Sequence, residues 1–405
     1  MTHLELYFEA LNNWESYMKK KIYLFLLVQI LIVSINTLDS IPLFDAYPTL
    51  KEKIPYIKLG NFPTPIKKLE NLGRYLGAKN LYIKQDNLSG DLFGGNKVRK
   101  LEFLLGAAEK LNATGVITTG GAGSNHVLAT AAYAKKLDMI CYGLLNPQNI
   151  TSYLRRNLLL MHHYGAKIEL FPTRAAATVG ILAVDKEYRK VMGHSLFLIP
   201  RGGSDEIGCL GFVNAAFELK EQICAGILPE PDFIYIPRGT MGSSVGLILG
   251  LKAAGLKSVV VPVTDEPYQD PVKNMVQLFQ ETNKFIRTQD PTFKEYKLTP
   301  EDLAWLHTDF SGAHYAEITP QAADAIKFMY DHENIKLDGT YTGKTCAAML
   351  YDLQNKNIKN KVILFWNTYC SQNFEEITKT INYKDLPEEF HHYFETDLQP
   401  LDQGV

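Results

Sequence analysis

Lys97 is the residue whose type and neighbours most clearly allow covalent chemistry. It follows Gly94, Gly95 and Asn96 and precedes residues 98–102, which have helical character. Glycine lets the backbone approach a flat ligand, and partial burial beside positive charge lowers a lysine pKa toward the free amine that Schiff-base chemistry needs. An exposed basic helix start is the alternative interpretation, and the run alone does not decide between them.

In three other stretches, a short strand pattern is followed by polar residues. Residues 116–126 and 233–250 each combine a strand, a glycine-rich polar turn and a helical pattern, and residues 362–368 form a buried-type strand with a polar end. Such turns place hydroxyls and amides at the edge of a parallel sheet, where ligands bind, and amides at a helix start bind phosphate. The second turn lacks a Gly-Lys-Ser/Thr ending and dinucleotide-binding spacing, so an NTPase P-loop and a dinucleotide fingerprint are excluded.

Composition indicates a globular enzyme body. Hydrophobic residues make up 46% of the chain and charged residues 21%, as in ordinary globular proteins. The length of 405 residues favours two domains. The formal net charge of −2 suggests no nucleic-acid partner. No Cys-x-x-Cys or Cys/His cluster suggests a metal, and an odd cysteine count predicts reduced thiols. These cysteines are Cys141, Cys209, Cys224, Cys346 and Cys370.

The N-terminal tail, residues 1–40, contains a candidate signal or anchor segment at residues 18–37. Lysines at 19–21 precede a mostly apolar run at 22–35, which has the shape of a signal peptide and is short for a membrane span. Residues 19–37 could therefore direct export or provide membrane contact. The alternative is a packed N-terminal helix on a cytoplasmic protein.

Beyond residue 40, short apolar strand patterns alternate with helical patterns, which predicts an α/β fold with parallel sheets and helices on both faces. Several motifs then resemble, in order, the branch of pyridoxal-phosphate enzymes that contains D-cysteine desulfhydrase and 1-aminocyclopropane-1-carboxylate deaminase, in the tryptophan-synthase-β-like group. The matching runs are residues 95–102, 124–126, 199–204, 210–213, 239–246 and 341–344.

The resemblance implies a two-domain fold with pyridoxal 5'-phosphate in the interdomain cleft. Residues 42–97 and 204–396 would form the large cofactor-binding domain and residues 98–203 the small domain. We expect a homodimer that acts on a small amino acid.

The resemblance also implies roles for individual residues. Lys97 would carry the cofactor and then remove the substrate α-proton. Ser124, Asn125 and His126 would hold the substrate carboxylate, with Asn125 also donating to the ring oxygen of the cofactor. A Ser-Asn pair before a helix is also a good N-cap, and His126 could stack or simply pack. Asn96 could orient the cofactor edge or cap the helix.

A phosphate-binding loop is predicted over residues 239–244, where amides and hydroxyls satisfy phosphate oxygens without a lysine. Its members are Gly239, Thr240, Met241, Gly242, Ser243 and Ser244. Arg238, just before the loop, could add positive charge or face solvent.

The partner of the pyridine nitrogen bears on the reaction type. Thr368 matches the hydroxyl found at this position in the family, and Thr342 stands where the ring-opening deaminases have glutamate. A hydroxyl keeps the ring near neutral, which suits expulsion of a β-substituent. Tyr341 and Tyr315 match tyrosines that flank the substrate and could assist proton transfer or stack. The expected catalytic residues are Lys97, Ser124, Tyr341 and Tyr315.

The chain departs from the family pattern at two places that bear on the substrate. Tyr369 and Cys370 replace two glycines, and the turn before Ser124 is Gly-Gly-Ala-Gly rather than Gly-Ala-x-Gln. The favoured function is α,β-elimination of D-cysteine to pyruvate, ammonia and hydrogen sulfide. The alternatives are a cyclopropane-ring-opening deaminase and a catalytically silent binding protein, and the presence of Lys97 argues against the latter.

Overall fold

The computed structural model describes residue 21 and residues 41–267 and 270–402. The chain divides into two units between Ala46 and Tyr47, and the described part of the first contains one short helix, α1 (Pro42–Ala46). Among the helices described, none has both the length and the apolar character needed to cross a membrane. Apart from Lys21, the candidate segment at residues 18–37 lies outside the described residues, so export, membrane contact and location stay predictions.

The second unit has alternating helices and strands. The strands are β1 (Ile66–Lys68), β2 (Leu81–Gln85), β3 (Gly115–Gly121), β4 (Ile140–Asn146), β5 (Lys167–Leu170), β6 (Phe197–Leu198), β7 (Phe233–Arg238), β8 (Val259–Thr264) and β9 (Ile363–Asn367). The α-helices are α2 (Pro48–Lys53), α3 (Glu70–Leu76), α4 (Lys97–Lys110), α5 (Asn125–Lys136), α6 (Ser152–His163), α7 (Arg174–Met192), α8 (Glu206–Cys224), α9 (Gly242–Ala254), α10 (Pro271–Gln289), α11 (Pro320–Glu333), α12 (Thr342–Asn355), α13 (Glu375–Thr378) and α14 (His392–Glu395).

Two sheets organise these elements. A five-stranded sheet has the order β1-β2-β9-β7-β8, and a four-stranded sheet has the order β5-β4-β3-β6. All neighbouring strands are parallel except β1, which pairs antiparallel with β2. The predicted alternation is confirmed. The short β1 and β6 were not predicted, because strands of three and two residues carry too little periodic pattern.

The strand registers bring the polar turns together. In the smaller sheet Gly121 is opposite Asn146, and in the larger sheet Arg238 is opposite Thr264. Because parallel strands end at the same edge of a sheet, the loops that follow them share that edge. The segments after β3, β7 and β9 are those in which the sequence predicts ligand contacts.

Every strand of the smaller sheet falls between β2 and β7 of the larger sheet along the chain. The predicted domain boundaries, with residues 98–203 as the small domain and residues 42–97 and 204–396 as the large one, stay a prediction. The five cysteines form no disulfide in the structure, and Cys224 is the exposed one among them.

Candidate active site

A cleft at the strand ends brings together nearly all the residues that the sequence predicted for the site. Ser244 is the exception, because it is fully buried and its hydroxyl donates to the carbonyl oxygen of Met241 at 3.0 Å. The predicted residues that line the cleft are Lys97, Ser124, Asn125, His126, Gly239, Thr240, Met241, Gly242, Ser243, Tyr315, Tyr341 and Thr368.

Lys97 is the first residue of α4 and lies partly buried in the cleft, with its Nζ 3.4 Å from the carbonyl oxygen of Gly202. Burial, followed by the positive charge of Lys100, holds the pKa of Lys97 well below the ordinary lysine value. Gly95 has φ of 93°, and a Cβ there would lie 2.7 Å from the carbonyl oxygen of Thr368. Glycine is therefore required for the approach of the chain before Lys97 to the end of β9.

The rest of this motif divides between the cleft and the core. Lys100, one helical turn after Lys97, also lines the cleft, whereas Arg99 and Glu102 are buried away from it. Glu102 accepts hydrogen bonds from the amides of Leu59 and Gly60 at 3.1 and 3.0 Å. Helical spacing thus separates the residues available for chemistry from those that hold the helix in place.

A buried charge network anchors the start of α4. The Arg99 guanidinium donates to Glu218 at 2.7 Å and to Asp86 at 2.8 Å, and Lys84 also pairs with Glu218. The indole Nε1–H of Trp366 donates to Asp86 at 2.8 Å. Residues from β2, α4, α8 and β9 therefore share one hydrogen-bonded cluster around Arg99, two residues after Lys97.

Asn96 bonds across the cleft and does not cap its own helix. Its side chain makes no capping hydrogen bond but donates from Nδ2 to the Ser243 hydroxyl at 2.9 Å. Of the two interpretations of Asn96, the structure therefore disfavours the cap. The contact links the residue before Lys97 to the first turn of α9.

The turn after β3 combines a helix cap with free donors. The Ser124 hydroxyl accepts the Val127 amide at 3.3 Å, so this serine does cap α5 while lining the cleft. Asn125 Oδ1 accepts a hydrogen bond from Asn157 Nδ2 at 2.9 Å, which turns the Asn125 side-chain amide group toward donation elsewhere. Asn157 was missed, because its sequence position in α6 gives no local sign of this contact.

His126 packs beneath the turn. It is 3% exposed, and its Nε2 is 3.0 Å from the Thr118 hydroxyl. Burial, and then the charge of Lys97, hold the pKa of His126 well below its ordinary value. A neutral imidazole is therefore expected, in keeping with a packing role.

The loop before α9 is shaped for an anion. Met241 has φ of 68°, and α9 begins at Gly242, whose amide donates to the carbonyl oxygen of Thr240 at 2.9 Å. The next amides of this helix have no intrahelical acceptor. The Thr240 hydroxyl is 2.7 Å from the Ser204 hydroxyl, which also lies 3.0 Å from Lys100 Nζ. A Cβ on Gly242 would lie 2.7 Å from Lys100 Nζ, so a larger residue would fill the space between them.

Lys100 was missed by the sequence analysis, although its position three residues after Lys97 was a usable signal. Burial lowers the pKa of Lys100 to about 8. Arg238, by contrast, is fully buried, with Nη1 3.2 Å from the Thr264 hydroxyl, so it neither faces solvent nor lines the cleft. Of Lys100 and Arg238, Lys100 is therefore the cation that lies beside this loop in the cleft.

Two tyrosine hydroxyls meet in the cleft. The Oη atoms of Tyr315 and Tyr341 are 2.7 Å apart. Burial raises the pKa of Tyr315 to about 12 and raises that of Tyr341 well above its ordinary value. Both therefore stay protonated near neutral pH and can pass a proton along their shared hydrogen bond.

Thr368, directly after β9, lines the cleft, whereas Thr342, the first residue of α12, does not. The Thr342 hydroxyl donates to Asp338 at 2.6 Å and is fully buried. Tyr369 also lines the cleft, and its hydroxyl accepts a hydrogen bond from Arg156 at 3.1 Å. The departure from two glycines therefore adds an aromatic side chain to the cleft wall.

These residues fit pyridoxal phosphate by their donor chemistry. A lysine with a depressed pKa, Lys97, shares the cleft with a helix start at Gly242 that has Lys100 beside it and no Cβ in the way. The Asn125 amide and Thr368 hydroxyl add neutral donors at the other strand ends.

Comparison with known proteins agrees with this geometry. Residues 57–368 match the profile of a family described as pyridoxal-phosphate dependent enzymes. A crystal structure described as an ACC deaminase homologue is similar over 84% of this chain and 97% of its own, with 29% identity and a TM-score of 0.70. Threonine deaminase isoform 2 from Solanum lycopersicum (17% identity, 84% and 93% covered, TM-score 0.55) and maize serine racemase (17%, 85% and 98%, 0.51) share the fold.

Proposed function

The chain belongs to the family of pyridoxal-phosphate dependent enzymes, and we propose that it catalyses α,β-elimination of a small amino acid, most favourably D-cysteine. With one water, D-cysteine would give pyruvate, ammonia and hydrogen sulfide. Pyridoxal phosphate is its cofactor, as the sequence predicted. The observation that carries the proposed reaction is the hydroxyl of Thr368 at the end of β9, together with the withdrawal of Thr342 from the cleft.

Bound pyridoxal phosphate withdraws electrons from the substrate Cα and makes its proton removable. Lys97 would hold the cofactor covalently and then, released by the substrate amine, accept the α-proton at Nζ. Its depressed pKa supports this role, because a free amine can both attack a carbonyl carbon and accept a proton.

The phosphate would be held at the start of α9. The Ser243 amide, the hydroxyls of Thr240 and Ser243, and the Lys100 ammonium would supply donors on one side of the cleft. The hydrogen bonds of Ser204 to Thr240 and of Lys100 to Ser204 orient these groups before a ligand arrives.

The substrate carboxylate would lie at the turn before α5. The amides of Asn125 and His126 begin this helix and lack intrahelical acceptors, which makes them suitable donors to an anion. The Asn125 side-chain amide, oriented by Asn157, would donate to the ring oxygen of the cofactor.

The tyrosine pair would move a proton to the departing sulfur. Because Tyr341 and Tyr315 share a hydrogen bond of 2.7 Å and both remain protonated, either hydroxyl can donate while the other replaces the proton. The Tyr341 ring also packs against Gly239, where a Cβ would lie 3.2 Å from a ring carbon.

Sulfide release tests the substrate and its stereochemistry. We expect D-cysteine to be the better sulfide source, by about tenfold or more in kcat/KM, which corresponds to about 1.4 kcal/mol. Sulfide and pyruvate would be measured with each enantiomer and the purified holoenzyme. Equal or faster release from L-cysteine would overturn the assignment of stereochemistry.

Replacing Thr368 tests the reaction type. A carboxylate beside the pyridine nitrogen keeps a proton there and lets Cα hold negative charge longer, so α-proton exchange gains on expulsion of the β-substituent. Thr368→Glu should lower the ratio of elimination to α-proton exchange by about tenfold. Exchange in heavy water and pyruvate release would be followed together.

Thr368→Ser is the matched control, because it keeps the hydroxyl and should keep the ratio of the wild type. An unchanged ratio in Thr368→Glu would exclude Thr368 as the ring partner.

A ring-opening deaminase is the second candidate, favoured by the similarity to the structure described as an ACC deaminase homologue. Ammonia and 2-oxobutanoate from 1-aminocyclopropane-1-carboxylate would promote it over elimination. A homodimer remains part of the proposal and is testable by light scattering.

A further inference from the structure

Arg201 is a further cationic residue of the cleft, in addition to Lys97 and Lys100. It lies in the turn Arg201–Gly203 after β6, is partly buried and lines the cleft. Its Nη1 donates to Asn146 Oδ1 at 3.0 Å. Asn146 ends β4 opposite Gly121, so the guanidinium is attached to the edge that carries the turn before α5.

Within the part of the chain that the structure describes, Arg201 forms no ion pair, and its hydrogen-bond partner is a neutral amide. The acidic side chains among the residues that line the cleft are Glu266 and Asp338, and both have other partners. Glu266 pairs with Arg174 at 2.6 Å, and Asp338 accepts hydrogen bonds from the Thr342 hydroxyl and from the amides of residues 340–342.

A partly buried guanidinium without a carboxylate partner is costly unless a ligand supplies the anion. Asn146 uses one of five guanidinium N–H groups, which leaves donors for a planar anion. After burial, which is the main cause, the charge of Arg201 contributes to the low pKa values of Lys97 and His126, so it acts within the cleft.

The anions of the proposed function have other sites. The start of α9 with Lys100 suits the phosphate, and the start of α5 suits the α-carboxylate. Both Arg201 and Tyr315 line the cleft, and the charge of Arg201 opposes the rise in the Tyr315 pKa that burial causes. A ring carbon of Tyr315 is 2.8 Å from where a Cβ on Gly121 would lie. With the phosphate and the α-carboxylate assigned elsewhere, the anion left for Arg201 is a group on the substrate side chain.

Building on the proposed function, we propose that Arg201 is a specificity-determining residue that binds a second acidic group, a carboxylate or sulfonate, on the side chain of the amino-acid substrate. D-Cysteine offers negative charge at this position only as its thiolate. Amino acids with an acid on Cβ should therefore bind more tightly than neutral ones of the same shape.

Aspartate and asparagine form a matched test pair, because they differ in charge at nearly equal shape and lack a good β-leaving group. Their dissociation constants for the holoenzyme would be measured by calorimetry and by the shift of the cofactor absorption band, for both enantiomers. We expect aspartate of the preferred enantiomer to bind about tenfold or more tightly than asparagine, as for a hydrogen bond between charged groups.

Arg201→Gln should weaken aspartate binding at least about tenfold more than asparagine binding, and Arg201→Lys should restore part of the preference. Arg287→Gln removes an exposed arginine that pairs with Glu295 and should keep the full preference. Circular dichroism and bound cofactor would establish that each variant is folded.

Equal affinities of the wild type for aspartate and asparagine would overturn the inference. An equal loss of affinity for aspartate and asparagine in Arg201→Gln would also overturn the inference, because it would place Arg201 at the α-carboxylate. Selective aspartate binding without 2-oxoacid from any amino acid would leave the inference standing and refute the proposed elimination.

Discussion

Lys97→Ala is expected to abolish the covalent link to the cofactor and to lower turnover by at least about a thousandfold. The substitution removes both the amine that binds the cofactor and the group that takes the α-proton, and general base catalysis alone contributes up to about 10⁴-fold. The fold should persist, because Lys97 makes one long hydrogen bond, of 3.4 Å, to Gly202. Borohydride reduction followed by mass spectrometry measures the link directly.

Lys100→Gln is the matched control on the same face of α4. It removes a cation beside the proposed phosphate position, so it should weaken cofactor binding while the borohydride-reducible link still forms at saturating cofactor. A reducible link in Lys97→Ala, or its absence in Lys100→Gln at saturation, would move the assignment to the other lysine.

Arg99→Met is expected to lower the free energy of unfolding by about 3–5 kcal/mol. The Asp86 and Glu218 carboxylates would remain at most 2% exposed and lose their shared partner. Thermal unfolding followed by circular dichroism should show a midpoint roughly 4–6 °C lower. Because Arg99 supports the helix start at Lys97, cofactor affinity should fall as well.

Arg287→Met, in an exposed pair with Glu295, is the control and should change stability by less than about 1 kcal/mol.

Burial alone would raise the pKa of Glu218, but attraction by Arg99 and Lys84 lowers it from 4.5 to about 2. A lowered carboxylate pKa adds stability above the ordinary value and loses it as the pH falls from 4.5 toward 2. A wild type equally stable at pH 5 and pH 2.5 would contradict this network.

Local sequence was enough to predict the chemistry-bearing residues and the elements around them. The glycines before Lys97, the turn at residues 121–126 and the loop at residues 239–244 each occupy a few consecutive positions. Glycine conformation, β-branched strands and helix starts depend on near neighbours, so such patterns are readable without the fold. The occurrence of these motifs in the same order as in the family then gave the resemblance.

The sequence did not indicate which residues of the Lys97 motif face inward. Arg99 and Glu218 are 119 positions apart, and their contact depends on how α4 and α8 pack. Asn125 and Asn157 meet in the same way, through the packing of α5 and α6. Periodicity predicts a helical face but does not name its partner.

The sequence by itself therefore determined the fold class and the cofactor and predicted the lysine that would bind it, because these follow from local patterns in a known order. The tertiary structure alone decided that Lys100 supplies the charge beside α9, that Arg238 is buried, and that Tyr315 and Tyr341 share a hydrogen bond. It also decided that Arg201 reaches Asn146 in the cleft. Each of these contacts joins distant segments at the ends of parallel strands, and sheet topology, which sets those distances, is not encoded in any single stretch of the chain.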